Sequence, residues 1–171
     1  MKHSASVSKD PPGGLRGPAQ SRAVQAWLVV VGFSCLVLWL GTPNFSASKS
    51  YSWLIQILRF FDPEVRYDTV VWLHGAIRKG AHVVVYAVLG LLAFRASWFS
   101  FGNLLARVTT TAILVALGVA LIDESRQAGY DTRTGSPYDI AIDVVGAICA
   151  VGIAALVLRR RLSERRARAG T

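Results

Sequence analysis

The sequence predicts an all-α protein, a four-helix transmembrane bundle with a short amphipathic interfacial helix between spans one and two. Three observations carry that prediction. Hydrophobic residues make up 53% of the 171-residue chain and charged ones only 17%. The apolar residues stand in long unbroken blocks, whereas a soluble core is assembled from short periodic runs. Four such blocks are present, near the roughly twenty residues that a helix needs to cross a bilayer, and aromatic or basic residues mark their ends.

Residues 1–22 are rich in Ser, Pro, Gly and basic side chains without apolar periodicity, so a disordered basic tail is expected there. The membrane domain follows over 23–158. Its first block, about 24–40, is uncharged and holds Trp27 and Trp39 near its ends. Ser46-Ala47-Ser48 loosely resembles a signal-peptide cleavage site, but the apolar stretch exceeds the usual h-region of about 7–15 residues, which favours an uncleaved anchor. Between residues 41 and 76, Trp53, Leu54, Ile57, Leu58 and Phe61 recur at helical spacing with Gln56 and Arg59 between them. This is the pattern of a helix lying on a membrane surface, and Pro63 should end it.

The second span, about 77–95, opens with Lys79 and His82 and closes at Arg95, Trp98 and Phe99. The third, about 104–122, runs into Asp123 and Glu124. A polar loop leads to the fourth, about 139–158, and an arginine-rich tail occupies 159–171. No internal repeat is evident, and one domain is expected. Cys35 and Cys149 lie inside apolar blocks and read as packing residues, with no disulfide.

The net charge of +9 raises the possibility of a nucleic-acid partner. However, Arg159, Arg160, Arg161, Arg165, Arg166 and Arg168 directly follow a span, where basic clusters set topology and attract anionic lipid. Membrane lipids, and no nucleic acid, are the partners expected. One face of a four-span chain receives Lys2, Lys9, Arg16, Arg22, Arg95, Arg107 and the terminal arginines. The positive-inside rule places that face, with both termini, in the cytoplasm.

The unusual polar residues then collect on the opposite, outer face. Lys79 and His82 begin span two, Asp123, Glu124 and Gln127 end span three, Arg133 lies in the outer loop, and Asp139 and Asp143 begin span four. Lys79, His82, Tyr86 and Gly90 share one helical stripe; Asp139, Asp143, Gly146 and Ala150 share another, whose small residues permit close packing. Ionisable groups at span ends face a bundle interior or a watery cleft, which predicts one polar pocket below the outer surface.

Each residue carries two readings. His82, with an ordinary imidazole pKa of about 6.5, suits general acid/base work, or else bridges helices structurally. Asp123, Glu124 and Asp139 suit orienting His82 or holding a divalent cation such as Mg²⁺ or Ca²⁺, or else pair with Lys79 and Arg133. No metal motif is present, so a cofactor stays unassigned. Arg133 suits a bidentate grip on phosphate with Lys79 as a second charge, or an ion pair in the loop. Asp143 reads as a substrate or catalytic contact, or else as a buried acid that is protonated or paired with His82 or Lys79. Gln127 and Tyr86 read as supporting hydrogen-bonders.

These segments resemble the VanZ-like family of bacterial membrane proteins. The resemblance rests on Ile77-Arg78-Lys79-Gly80-Ala81-His82 with Tyr86 and Leu89-Gly90, then Asp123-Glu124 and Gln127, then Arg133-Thr134-Gly135-Ser136, then Asp139, Asp143 and Gly146. It covers about half the chain, Ile77 to Gly152. Val85 stands where members often carry an acid, Arg126 where they often carry His, and Asp131-Thr132 where they often carry Pro-Gly. The family is named for a protein linked to teicoplanin resistance. The resemblance implies a cell-envelope protein of the inner membrane and suggests phosphodiester hydrolysis or transfer on lipid head groups, with His82, Asp123, Glu124 and Asp139 as its machinery. The alternative is a non-catalytic membrane protein that alters envelope properties or glycopeptide sensitivity. A transporter fits less well, because four spans without an inverted repeat are few for alternating access.

Overall fold

A computed structural model describes residues 18–45, 47–102, 104–129 and 137–169. Five α-helices occupy them: α1 (Pro18–Leu40), α2 (Ala47–Phe61), α3 (Tyr67–Phe101), α4 (Leu105–Ala128) and α5 (Pro137–Ala169). No strand occurs among the described residues. α1, α3, α4 and α5 are each long and apolar enough to cross a membrane. The short amphipathic α2 stands between the first two, where the sequence places it.

Helix ends depart from the apolar blocks. α1 begins at Pro18, inside the stretch expected to be disordered to residue 22; residues 1–17 lie outside the described residues. α3 begins at Tyr67, well before the expected 77. α5 continues through the arginine run to Ala169. The reason is that helices do not stop where hydrophobicity does. Asp68 in the first turn of α3, and Arg166 and Arg168 in the last turn of α5, complement the helix dipole and favour polar extensions. At 1.5 Å per residue, the 35 residues of α3 reach about 50 Å, beyond a hydrocarbon core of about 30 Å. Helix α2 does stop at Phe61, just before Pro63. Gly102, with φ 56°, ends α3 in a left-handed conformation open to glycine.

α3 is the central element and packs against each of the other four helices. In lipid, apolar surface alone does not drive helices together, so close backbone approach and van der Waals contact must do so. The sequence supplies small residues for that purpose. Val108, Ala112, Ala116 and Ala120 form a fully buried stripe along α4. On α5, a Cβ at Gly146 would lie 2.6 Å from the Val83 carbonyl oxygen of α3. A Cβ at Gly90 of α3 would lie 3.3 Å from Ala147. The predicted stripe at Gly146 is therefore a close crossing of α3 and α5. Trp27 of α1 donates to Ser100 Oγ of α3 at 3.0 Å, which fixes the first half of α1 beside the end of α3.

α2 docks on the first turns of α3. Ser50 Oγ and His74 Nε2 share a hydrogen bond at 2.9 Å, and the Tyr51 ring meets His74 edge-on. Trp53, Ile57, Phe60 and Phe61 remain exposed, the apolar face an interfacial helix lays into a membrane.

Candidate functional site

At one end of the bundle the buried stripe of α4 changes character. After Ala120, its i+3/i+4 spacing continues through Asp123, Glu124 and Gln127, all buried. Asp143 of α5 is 2% exposed and Tyr86 of α3 is 1% exposed. Burying so many polar groups is costly unless they are partnered or used.

Two pairings organise them. His82 Nδ1 lies 3.0 Å from Asp143 Oδ1, across the α3–α5 seam. With Asp143 ionised the carboxylate can only accept, so Nδ1 carries a proton, and in the neutral ring Nε2 then keeps its lone pair. Gln127 Nε2 donates to Asp123 Oδ2 at 2.8 Å, one turn back on α4. The His82 ring stacks against Tyr86, nearly parallel, with centroids 6.5 Å apart. The Tyr86 hydroxyl is buried with no hydrogen-bond partner among the described residues.

A cavity of about 210 Å³ opens onto this group, lined among others by Arg78, His82, Val85, Tyr86, Asp123 and Gln127. Gly41 and Phe45, from the end of α1 and the turn before α2, complete one wall together with Ser50. A smaller cavity of about 130 Å³ adjoins it, lined by Gly75, Arg78, Lys79, His82, Asp139 and Ile142. His82 and Arg78 border both. Side-chain exposure of 27% at His82 against 3% at Asp143 makes the imidazole the reachable member of the pair.

The residues singled out in the sequence divide accordingly. His82, Tyr86, Asp123 and Gln127 meet at the larger cavity; Lys79 and Asp139 meet His82 at the smaller one. The Lys79 ammonium lies 5.1 Å from the Tyr138 ring centroid. Glu124 is buried but lines neither cavity. Arg133 lies outside the described residues. The carboxylate hydrogen-bonded to His82 is Asp143, rather than Asp123, Glu124 or Asp139. A contact across two helices depends on their crossing, which spacing along one helix does not reveal. Among the described residues no three His, Cys, Asp or Glu side chains converge as a metal-binding group, and Asp123 and Asp139 line different cavities.

A model of the VanZ/LLP1 family matches residues 25–158. The chain belongs to the VanZ/LLP1 family. The match runs from α1 to the apolar end of α5, so it takes in α1 and α2, beyond the segment that carried the resemblance in the sequence. No curated protein and no solved structure matches the chain. With four apolar helices, this is a multi-pass membrane protein of the VanZ type.

Two places where the chain departs from the VanZ-like pattern have structural consequences. Val85 lines the larger cavity, so this VanZ-type site has an apolar wall there. Arg126 NH1 donates to the Leu38 carbonyl at 3.1 Å, satisfying one of the open carbonyls at the end of α1. Sequence reasoning missed Arg78 and Gly41. Arg78 had a signal, since it stands four residues before His82 on the same helical face. Gly41 had none. A Cβ there would collide with Asp123 Oδ1, a contact between α1 and α4 that only the fold creates.

Proposed function

We propose that this VanZ-type protein acts on phosphate-containing lipid head groups from the outer leaflet, with the polar end of the bundle facing out and both termini in the cytoplasm. The observation that carries the proposal is the His82–Asp143 pair, a partly exposed imidazole held by a buried carboxylate at the meeting point of two cavities that Arg78 also lines. A histidine fixed at Nδ1 by a carboxylate presents Nε2 as a general base. Arg78 and Lys79 supply charge for a phosphate, and Arg133, which falls between α4 and α5 in sequence, is a third candidate.

The chemistry is a phosphodiester hydrolysis. Nε2 of His82 takes a proton from water as its oxygen attacks phosphorus, the bond to one ester oxygen breaks, and the imidazolium returns the proton to that leaving oxygen. Asp143 positions the ring and stabilises its cationic form. Asp123, held by Gln127, orients the head group or the attacking water. Replacing water by a second hydroxyl would give transfer by the same steps.

The test compares envelope lipids by mass spectrometry in cells with the protein, without it, and with His82→Gln or Asp123→Asn. A lipid species that follows the wild type and is lost with both variants, at equal membrane abundance, supports the proposal and identifies the substrate. Identical lipids in all strains, with the protein present in the membrane, would instead assign the cluster to a structural network in a non-catalytic protein.

A further inference from the structure

The opposite end of the bundle carries a feature that the proposed chemistry does not use. There α3 and α5 leave between them an open groove of about 610 Å³. Its walls are apolar, with Leu91, Phe94 and Trp98 from α3 facing Ile153, Val157 and Leu158 from α5. Two cations complete the lining, Arg95 from α3 and Arg161 from α5. Neither forms an ion pair among the described residues. The Arg95 guanidinium lies 5.3 Å from the Phe99 ring centroid.

We propose that this groove binds one anionic phospholipid, with an acyl chain along the α3–α5 seam and the phosphate between Arg95 and Arg161. Any groove between spans is covered in a bilayer, so the question is what selects the occupant. Two arginines from different helices lining one groove select negative charge, and a guanidinium fork matches phosphate oxygens. The depth is right as well. Trp98 lines the same groove, and the Trp27–Ser100 hydrogen bond places a second indole at this end of the bundle, the level that tryptophan favours at a membrane interface. A second copy of the chain is the disfavoured occupant. A symmetric pairing through this face would set Arg95 and Arg161 against the same residues of the other copy, and like charges across an interface oppose association.

The test uses the full chain, purified in detergent and stripped of lipid. It is mixed with phosphatidylglycerol or phosphatidylcholine of equal chain length and observed by native mass spectrometry. The wild type is expected to retain phosphatidylglycerol roughly tenfold better. R95Q/R161Q should bring the two lipids to near parity, and R95K/R161K should restore most of the preference. R165Q/R166Q, which removes equal charge outside the groove, should leave it unchanged. Ala154→Trp, which fills the groove wall, should lower retention of the anionic lipid. Equal retention of both lipids by the wild type, or equal losses in R95Q/R161Q and R165Q/R166Q, would overturn the proposal. A dimer that Ala154→Trp abolishes would overturn it in favour of a second copy. The comparison of R95Q/R161Q with R165Q/R166Q reads only the arginine end of the bundle, so this result stands apart from the fate of the head-group chemistry.

Discussion

Tyr86 shows how a single side chain separates packing from function. Its ring is fully buried against His82, yet its hydroxyl has no partner among the described residues. A buried hydroxyl left unsatisfied costs roughly 1–3 kcal/mol, so Tyr86→Phe should hold or raise thermal stability in detergent. Tyr86→Ala should lower it by about 3–5 kcal/mol through the cavity it leaves. If the hydroxyl contacts substrate, Tyr86→Phe loses lipid turnover while staying folded, and melting curves set beside lipid profiles distinguish these outcomes. His82 and Asp143 make a sharper pair. Removing the general base should lower turnover by on the order of 10²–10⁴-fold. Asp143→Asn keeps the shape but no longer stabilises the imidazolium, so its loss should approach that of His82→Gln, and the double variant should be little worse than either single one. Additive losses would show that the two residues act separately. Most of this cluster is legible in the sequence, because ionisable residues at span ends have few roles other than lining a cleft. The identity of His82's partner is not, since Asp139 and Asp143 lie one turn apart on one face and only the crossing of α3 and α5 decides between them.

At the scale of elements, two glycines set the site's geometry by letting backbones approach. Gly146 sits one turn beyond Asp143 on α5, against the Val83 backbone. A Cβ there meets a backbone oxygen rather than a flexible side chain, so α5 itself must move. Gly146→Val should therefore destabilise the bundle by about 1–3 kcal/mol and draw Asp143 away from His82. Turnover should then fall further than the loss of folded protein explains. Gly41→Ala acts from the α1 side, displacing Asp123 directly, and should weaken turnover with a smaller stability cost. The readout is turnover per folded molecule against melting temperature, and a variant that loses stability alone would deny these glycines a role in positioning. The number and order of the helices are legible because four apolar blocks admit few other readings. Helix ends are less so, because α3 and α5 continue as helix through charged turns where hydropathy gives no signal.

For the whole molecule, the asymmetry of charge and the placement of the two cavities make one argument. The buried carboxylates, His82 and the two cavities of the candidate site gather at one end, whereas Arg95 and the run from Arg159 to Arg168 gather at the other. Basic residues near span ends resist translocation, so the arginine end should stay in the cytoplasm and the His82 end should open to the outer leaflet. That arrangement matters to the chemistry, because a head group reaches His82 only from the leaflet that the cavities face. Cys35 and Cys149 are exposed on the helix surfaces and unpaired, so both would first be replaced by alanine. A single cysteine at Asp62, between α2 and α3, should then react with a membrane-impermeant maleimide in intact cells. One at Ser163, on the arginine-bearing extension of α5, should react only after the membrane is opened. The reverse pattern would place the site in the cytoplasm and redirect the search for its substrate to the inner leaflet. Replacing Arg159, Arg160 and Arg161 together by glutamine should weaken the bias at its source, so that labelling at Asp62 and Ser163 becomes mixed. If labelling stays clean in that variant, Arg22 of α1, Arg95 of α3 and Arg107 of α4, with the basic residues that precede α1 in sequence, suffice to orient the bundle, and the terminal arginines are left with lipid binding as their role.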